Sequence, residues 1–145
     1  MSTQEYNALI SLDHPNIIKL YTTFSDANSE YLVMEYCSSG SLIEKGKLEY
    51  PKFIHYAKQI LEALSYCHSK KIAHRDIKPD NIFLDQYDYV KLADFGLAKQ
   101  FDSQAVSSEK CGTLMFSAPE TLQRKEVSPF KADIWALGIT FFYMA

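Results

Sequence analysis

The 145-residue sequence has few glycines and few arginines, and each shortage excludes a kind of site. Its five glycines lie at positions 40, 46, 96, 112 and 138, and no two of them are two residues apart. A glycine-rich G-x-G-x-x-G loop, which cradles nucleotide phosphates, is therefore excluded within these residues. With only two arginines, Arg75 and Arg124, and a net charge of −3, the sequence predicts no nucleic-acid interface.

Cysteines and long apolar runs are also scarce. Cys37, Cys67 and Cys111 are odd in number and form no C-x-x-C pair, which argues against a disulfide framework or a zinc site. We therefore expect a reducing compartment, the cytoplasm or the nucleus. The most apolar run, residues 134–145, is 12 residues long and shorter than the 18 or so that span a bilayer. It predicts a buried core helix and no membrane contact.

The order of hydrophobic patterns predicts one domain of mixed α and β structure. QEYNALISL carries a short helical stripe, and residues 51–69 carry a long one. IIKLYTTF and YLVMEYC are β-branched and aromatic runs that predict two adjacent strands, and NIFLD with YVKLAD predicts a hairpin. Residues 96–117 form a long polar stretch, which is typical of a functional or disordered loop.

The polar cluster in IAHRDIKPDN, residues 72–81, indicates phosphate chemistry. Asp76, Lys78 and Asn81 follow one predicted strand, and Asp94 follows another, so both strands direct polar groups at one point. Phosphoryl transfer needs cations near the phosphates and a carboxylate that orients the attacking hydroxyl. The cluster contains each of these residue types.

HRDIKPDN, DFG, APE and DIWALG, in this order, resemble the catalytic core of eukaryotic protein kinases. The resemblance implies an α+β, protein-kinase-like fold that is partial at both ends. Residues 1–37 would be a remnant of the N-lobe, with helix C, two strands and the hinge. Residues 38–145 would be the first part of the mainly helical C-lobe.

The resemblance also implies an activity and catalytic roles. The activity would be transfer of the γ-phosphate of ATP, with Mg²⁺, to protein substrates. Asp76 would be the catalytic base, Lys78 would contact the transferred phosphate, and Asn81 and Asp94 would hold magnesium. Glu5 stands where the family places its helix-C glutamate. His74 and Phe95 would be packing members of the regulatory spine, below Leu9 and Leu20.

Further roles follow for the nucleotide pocket. Met34 would be the gatekeeper beside the adenine, and the backbone of Glu35 and Cys37 would meet the adenine edge. Leu42 and Phe83 would lie on either side of the ring.

Two features resemble serine/threonine kinases in particular. Lys78 is followed by Pro79, and Thr113 matches a threonine that bonds to the base and the lysine. We therefore expect serine or threonine acceptors. Within the family, the calcium/calmodulin-dependent-like group is the first choice.

The segment between DFG and APE, which ends at Glu120, departs from the family at one position. Glu109 stands where many relatives carry a phosphorylated threonine, and its carboxylate is expected to pair with Arg75 without modification. Ser107 and Ser108 are alternative phosphosites.

The missing glycine loop leaves a second reading open. No lysine precedes Lys19, so Glu5 has no phosphate-binding lysine as its partner within these residues. We expect the 145-residue chain alone to transfer no phosphate at a useful rate. The alternatives to a kinase are an inactive truncated kinase that acts as a decoy or scaffold binding module, and a gene fragment without activity. The oligomeric state is not indicated.

Overall fold

The computed structural model describes residues 3–109, 111–123 and 126–145, and of residues 3–5 and 7 it describes the backbone only. The helices in these residues are α1 Thr3–Ser11, α2 Leu42–Lys45, α3 Tyr50–Ser69, α4 Pro119–Leu122 and α5 Pro129–Met144. The strands are β1 Leu20–Ser25, β2 Glu30–Met34, β3 Ile72–Ala73, β4 Ile82–Leu84, β5 Val90–Leu92 and β6 Lys99–Gln100. They form three two-stranded antiparallel sheets, β1–β2, β3–β6 and β4–β5.

The long helix α3 confirms the prediction for residues 51–69. Pro51 lies in its first turn, where proline costs no intrahelical hydrogen bond. Tyr56, Ile60, Ala63 and Cys67 have no exposed surface, and their spacing of three or four residues places them on one face. Burial of a side chain as large as Ile60 stabilises the fold by roughly 1.5–3 kcal/mol.

The predicted strand pairs are present, but the long polar stretch is more ordered than the sequence indicated. β1 pairs with β2, and β4 pairs with β5, as expected. Residues 96–117 were predicted as a loop, yet they contain β6, which pairs with β3, and a 3₁₀ turn at Leu114–Phe116. A strand of two residues carries no detectable alternation of polar and apolar side chains, so the sequence pattern missed it.

The apolar helix α5 begins earlier and is less buried than predicted. It starts at Pro129 rather than at Ile134. Its buried residues, among them Asp133, Leu137 and Met144, lie on one face. The exposed fractions of Ile134 and Phe142 are 54% and 84%, so the prediction of a buried helix holds for one face only. In the described part of the chain, no helix has the length and apolarity needed to cross a membrane.

One apolar core joins these elements and carries the polar cluster of residues 72–81. It includes Leu9 from α1, Leu64 from α3, Leu92 from β5 and Leu137 from α5. Asn16 connects the segment before β1 to this core, because its side-chain amide donates to the Gln59 side chain at 2.8 Å and to the Val90 carbonyl at 3.0 Å. Ile72, Ile77 and Ile82, from β3, the connection after it and β4, belong to this core, so the backbone that carries the polar cluster is packed against it.

Candidate active site

We call residues 74–81, which connect β3 to β4, the central loop. The start of the loop is bonded to the buried carboxylate of Asp133 in α5. The His74 backbone N–H donates to Asp133 Oδ2 at 2.9 Å, and the Arg75 backbone N–H donates to Oδ1 at 2.8 Å. The backbone of Arg75 has φ of 71°, a left-handed conformation that costs a non-glycine residue about 1–2 kcal/mol. The bonds to Asp133 hold that conformation directly before Asp76.

Asp76 is the centre of the hydrogen-bond network. Its Oδ1 accepts from the Thr113 backbone N–H at 3.0 Å and from the Thr113 hydroxyl at 2.8 Å. Its Oδ2 accepts from the Asn81 side-chain amide at 3.1 Å and lies 3.3 Å from Lys78 Nζ. Partial burial raises the pKa of Asp76, but the Thr113 hydroxyl and the Lys78 ammonium together outweigh it, so the net pKa lies below its ordinary value. The carboxyl is therefore ionised at neutral pH.

Thr113 links the segment after β6 to the central loop. Its hydroxyl accepts from Lys78 Nζ at 2.7 Å while it donates to Asp76, so one oxygen connects both charged groups. Gly112, with φ of 86°, allows this approach, since a Cβ there would lie 2.4 Å from the Arg75 carbonyl oxygen. Any other residue at this position would push Thr113 away from Asp76.

His74 acts through packing and hydrogen bonds. Its ring is fully buried and packs edge-to-face on Phe95, with ring centroids 4.7 Å apart. Its Nδ1 accepts from the Asp76 backbone N–H at 3.2 Å, so Nε2 carries the proton that is donated to the Ala93 carbonyl at 2.9 Å. Burial lowers the pKa of His74, which agrees with a neutral ring.

Asn81 and Asp94 lie at the ends of neighbouring strands. The Ala93 N–H donates to the Asn81 carbonyl at 2.9 Å, which brings Asp94 beside the central loop. The Asn81 side-chain NH₂ donates to the Asp76 carbonyl at 2.9 Å, so its amide oxygen faces away from Asp76. Asp94 is exposed with φ of 57°, and its Oδ1 accepts from the Gly96 N–H at 3.3 Å. Amide and carboxylate oxygens are among the ligand types that Mg²⁺ takes.

The residues predicted for a nucleotide pocket fall into two groups. Met34, at the end of β2, is 41% exposed, and Phe83 in β4 is half-buried, so both have surface that a ring can contact. Leu42 has no exposed surface. Its side chain packs in the core in this conformation, and its predicted place beside a ring stays a prediction. A bridge between Ser41 and Phe83 joins the two segments.

The end of β2 is held by an ion pair. Glu35 Oε1 lies 2.7 Å from Lys91 Nζ of β5, and the Glu35 backbone N–H donates to the Lys19 carbonyl at 2.8 Å. Cys37 is half-buried, and burial raises the pKa of its thiol. The predicted helix-C glutamate, Glu5, lies in α1, but its side chain falls outside the described residues.

The segment after β6 contains the expected acidic contact. Glu109 Oε2 lies 3.0 Å from Arg75 Nη2 and 3.6 Å from Lys99 Nζ. The charges of Arg75 and Lys99 hold the pKa of Glu109 below its ordinary value. Both cations also lie over the Phe101 ring, 5.7 Å from its centroid. The Arg75 Nε–H donates to Cys111 Sγ at 2.8 Å.

The remaining predicted residues of this segment differ in exposure. The Ser107 backbone N–H donates to the Val127 carbonyl at 2.9 Å, and its hydroxyl accepts from the Glu109 N–H at 3.2 Å. Ser108 is exposed, and Glu120 is half-buried in α4.

Asp133 is a site residue to which sequence reasoning assigned no role. It lies in DIWALG, which was noted as a motif, but its hydrogen bonds to the central loop join residues 58 and 59 positions apart. The available signal was an acidic residue inside a strongly apolar helix, since buried carboxylates occur where they are hydrogen-bonded.

The chain is similar to known proteins over nearly its whole length. The family model "Protein kinase domain" matches residues 1–145. The chain is 41% identical to calcium-dependent protein kinase 6 of Plasmodium berghei (strain Anka) over 97% of its own length and 10% of that protein. It is 37% identical to CBL-interacting serine/threonine-protein kinase 2 of Arabidopsis thaliana, over 97% of the chain and 32% of the relative.

A third relative comes from another organism. The chain is 41% identical to 3-phosphoinositide-dependent protein kinase B of Dictyostelium discoideum, over 97% of the chain and 16% of that protein. The chain thus spans between about a tenth and a third of the length of these curated relatives. The matches confirm the predicted α+β, kinase-like fold. The chain belongs to the protein kinase family.

Proposed function

We propose that this protein is a serine/threonine protein kinase, which transfers the γ-phosphate of ATP to serine or threonine hydroxyls of protein substrates. The observation that carries the proposal is the network of Asp76, Lys78 and Thr113, in which a carboxylate and an ammonium share one hydroxyl. The relatives support the proposal, because each of them is named as a protein kinase. Neither the comparisons nor the described part of the chain favours the decoy alternative.

The proposed chemistry assigns one task to each polar group. Asp76, ionised at neutral pH, accepts a hydrogen bond from the substrate hydroxyl and takes its proton as the bond to phosphorus forms. The bridging oxygen leaves with its electron pair as ADP. Lys78 balances the charge that develops on the transferred phosphoryl group. Thr113 holds Asp76 and Lys78 at fixed positions, so neither has to reorganise during the reaction.

Magnesium is part of the proposal, and the residues present fit it. When bound, Mg²⁺ would neutralise charge on the phosphates. Asn81 and Asp94 would hold it: the Asn81 amide oxygen faces away from Asp76, and the exposed Asp94 lies beside it through the bond from Ala93 to Asn81. Two protein ligands are enough, since Mg²⁺ keeps several waters and binds substrate phosphates.

We place the adenine of ATP at the end of β2, between the Met34 side chain and the Phe83 ring, with the Glu35 and Cys37 backbone at its edge. The Glu35 N–H is already used by Lys19, so the Glu35 carbonyl is the group offered to a ligand. Leu42 would not contact the adenine itself, and its buried side chain would support the pocket from the core. We also propose that Glu109 supplies to Arg75 and Lys99 the negative charge of a phosphate. Of the two candidate phosphosites, exposed Ser108 is the better placed for an incoming kinase.

The test measures phosphate transfer from γ-labelled ATP to peptides with a serine, threonine or tyrosine acceptor. It uses the protein purified at its native length, with the 145-residue chain alongside. Serine and threonine peptides should be labelled, and Asp76→Asn should abolish the labelling. Asp13→Asn, which changes an exposed carboxylate, is the matched control and should leave it intact. Labelling of tyrosine peptides only, or labelling that survives Asp76→Asn, would overturn the proposal.

The length of the active form is tested in the same assay. We expect the native-length protein to carry the activity and the 145-residue chain to transfer no phosphate at a useful rate. A cytoplasmic or nuclear location also stays a prediction, based on the cysteine pattern.

A further inference from the structure

The ring of Phe101 contacts two cations that come from different segments. Lys99 lies in β6 and Phe101 follows it by two residues, so the alternation of side chains along an extended chain places both on one face. Arg75 follows β3, whose Ala73 pairs with Lys99. Arg75 Cζ and Lys99 Nζ each lie 5.7 Å from the centroid of the Phe101 ring, within the range of a cation–π contact. One ring therefore contacts both cations.

The Phe101 ring is held by two other parts of the chain. The Phe101 backbone N–H donates to the Lys71 carbonyl at 2.8 Å, directly before β3. The ring packs edge-to-face on Phe130 of α5, with centroids 6.3 Å apart and an angle of 78° between the planes. Because its backbone and its ring are both held, Phe101 is a fixed surface against which two flexible cationic side chains pack.

The two positive charges repel each other, and the contacts around them offset that repulsion. Glu109 Oε2 lies 3.0 Å from Arg75 Nη2 and 3.6 Å from Lys99 Nζ, so one carboxylate oxygen meets both cations. The Glu109 side chain is 55% exposed, however, so water and salt weaken its attraction. The Arg75 side chain is only 9% exposed, and a charge buried to this degree needs contacts besides one exposed carboxylate. The electron-rich face of the Phe101 ring is such a contact.

Arg75 connects the Phe101 ring to the segment that carries Thr113. The Arg75 Nε–H donates to Cys111 Sγ at 2.8 Å, and Nη2 meets Glu109, so Arg75 holds two residues shortly before Thr113. The Thr113 hydroxyl donates to Asp76 at 2.8 Å. One arginine side chain thus links the ring to the hydrogen bonds of the candidate active site.

We propose that Phe101 is a positioning residue, whose ring holds the Arg75 and Lys99 side chains where both meet one carboxylate. Through Arg75 it keeps the segment before Thr113 in place for phosphate transfer. The inference rests on the proposed function, because faster transfer is one of its consequences. The arrangement of ring, cations and carboxylate belongs to the folded chain whether or not the chain is active, so a separate measurement tests it.

The test compares substitutions of Phe101 in the protein purified at its native length. Phe101→Tyr keeps the aromatic face, whereas Phe101→Leu keeps an apolar side chain without one. The matched control is Phe141→Leu. Phe141 is also half-buried and also packs edge-to-face on a ring, that of Phe53, and the described residues place no cation over it. A loss of packing alone should therefore act alike in the two leucine variants.

The first measurement is the pKa of Glu109, taken from the carbon NMR signal of its side-chain carboxyl, with Glu109→Gln to assign the signal. Arg75 and Lys99 are the charged groups that face Glu109 in the described part of the chain, and they hold its pKa below its ordinary value. In Phe101→Leu the two cations are held less firmly, so the pKa of Glu109 should rise toward 4.5. Phe101→Tyr and Phe141→Leu should leave this pKa unchanged.

The second measurement is the rate of phosphate transfer to a serine peptide. A cation–π contact at a partly exposed site changes an equilibrium by about two- to fivefold, so Phe101→Leu should lower kcat by about two- to threefold, with KM for ATP unchanged. In the Glu109→Gln background the same substitution should have a smaller effect, because the ring acts through the cations that Glu109 meets. Phe101→Tyr should restore kcat, and Phe141→Leu should leave kcat unchanged.

Several results would overturn the inference. One is a pKa of Glu109 in Phe101→Leu that equals that of the unchanged protein or lies further below 4.5. Another is a loss of kcat that is as large in the Glu109→Gln background, or as large in Phe141→Leu, since either would reduce Phe101 to a packing role. If the unchanged protein transfers no phosphate, the proposed function fails, and the pKa of Glu109 still decides whether the ring holds the two cations.

Discussion

The β1–β2 sheet and the central loop, residues 74–81, hold their shapes in opposite ways. The sheet has a backbone ladder with five paired positions and one register shift, between Leu20 and Thr22, yet its side chains are mostly exposed, as for Phe24 at 57% and Tyr31 at 42%. The loop contains only a single 3₁₀ turn, at Pro79–Asn81, but its amides and carboxylates bond to buried or half-buried partners.

The difference shows which contacts hold the site. Exposed cross-strand pairs contribute roughly 0.2–1 kcal/mol each. A buried polar group that loses its partner costs about 1–3 kcal/mol, and more if it is charged. Regular secondary structure is therefore not what holds the candidate active site. Long-range bonds from Asp133 and Thr113 hold it, and the following predictions test this contrast.

The largest effect is expected from Asp133→Asn. The amide accepts through one atom only and turns its NH₂ toward a donor, so part of the set of donors, His68 Nε2 and the N–H groups of His74 and Arg75, is left unpaired. The free energy of unfolding in urea should fall by about 3 kcal/mol. Phe24→Leu, the matched change in the sheet, should cost less than about 1 kcal/mol. Equal losses in the two variants would remove the contrast between sheet and loop.

A second test separates the cost of a positive-φ backbone from the cost of the close contact between Gly112 and the Arg75 carbonyl. Gly46 and Gly112 both have positive φ, but a Cβ at Gly46 meets nothing within 4 Å, whereas at Gly112 it lies 2.4 Å from the Arg75 carbonyl oxygen. Gly46→Ala should cost about 1–3 kcal/mol of unfolding free energy, because φ of 62° with ψ of −141° is a conformation that only glycine adopts readily. Gly112→Ala should cost about 1–2 kcal/mol more and should lower kcat, because Thr113 is pushed off Asp76. If the two alanine variants behave alike, the close approach has no consequence.

Thr113→Val tests the shared hydroxyl with little change of shape. Lys78 and Asp76 both lose a partner, although the Thr113 backbone N–H still donates to Asp76. The expected loss is about 1–1.5 kcal/mol of transition-state stabilisation, or roughly tenfold in kcat. Thr113→Ser keeps the hydroxyl and should retain most of the activity. A serine variant as slow as the valine variant would show that the methyl group, not the hydroxyl, matters.

The smallest effect is expected from Glu109→Gln, because the Glu109 side chain is 55% exposed and salt screens its ion pairs. Activity at neutral pH should fall by less than about fivefold. Added salt should reduce the difference in activity between Glu109→Gln and the unchanged protein. The pKa of Glu109 in the folded chain lies below its ordinary value of 4.5. Its ion pairs therefore stabilise the fold above pH 4.5, and this contribution is lost as the pH falls through the lowered folded pKa.

The pH dependence supplies the measurement for Glu109. The unchanged protein should lose stability relative to Glu109→Gln as the pH is lowered below about 4.5, since the glutamine variant has no such proton to bind. Phosphatase treatment of the active protein should leave its activity largely intact. If the treatment abolished activity, the idea that Glu109 stands in for a phosphate would be wrong.

Much of this architecture was predictable because it depends on short stretches of sequence. The stripe of α3 and the alternation in β4 and β5 are local patterns, and both predictions were confirmed. Asp76, Lys78 and Asn81 were identifiable because they lie within six positions of one another. The roles assigned to these residues, and the lobe boundary after residue 37, stay predictions.

Other features were beyond the sequence. β6 is too short to carry a pattern, and the exposed face of α5 is rich in apolar residues such as Ile134, Trp135 and Phe142, so the pattern does not separate it from the buried face. The resemblance implies a place for Leu42 beside the ring, and only the structure shows that its side chain has no exposed surface. Exposure depends on which segments cover a residue, and no local pattern records that.

The sequence by itself determined the family, the longer helices and strands, and the identity of the polar cluster, because each of these depends on neighbouring residues. Only the tertiary structure decided how the cluster is held. The bond from Arg75 to Asp133 spans 58 positions, the bond from Thr113 to Asp76 spans 37, and the pair of His68 and Asp133 spans 65. Such contacts exist only after distant segments have packed on one core, since packing brings donor and acceptor within reach and removes the water that would replace them.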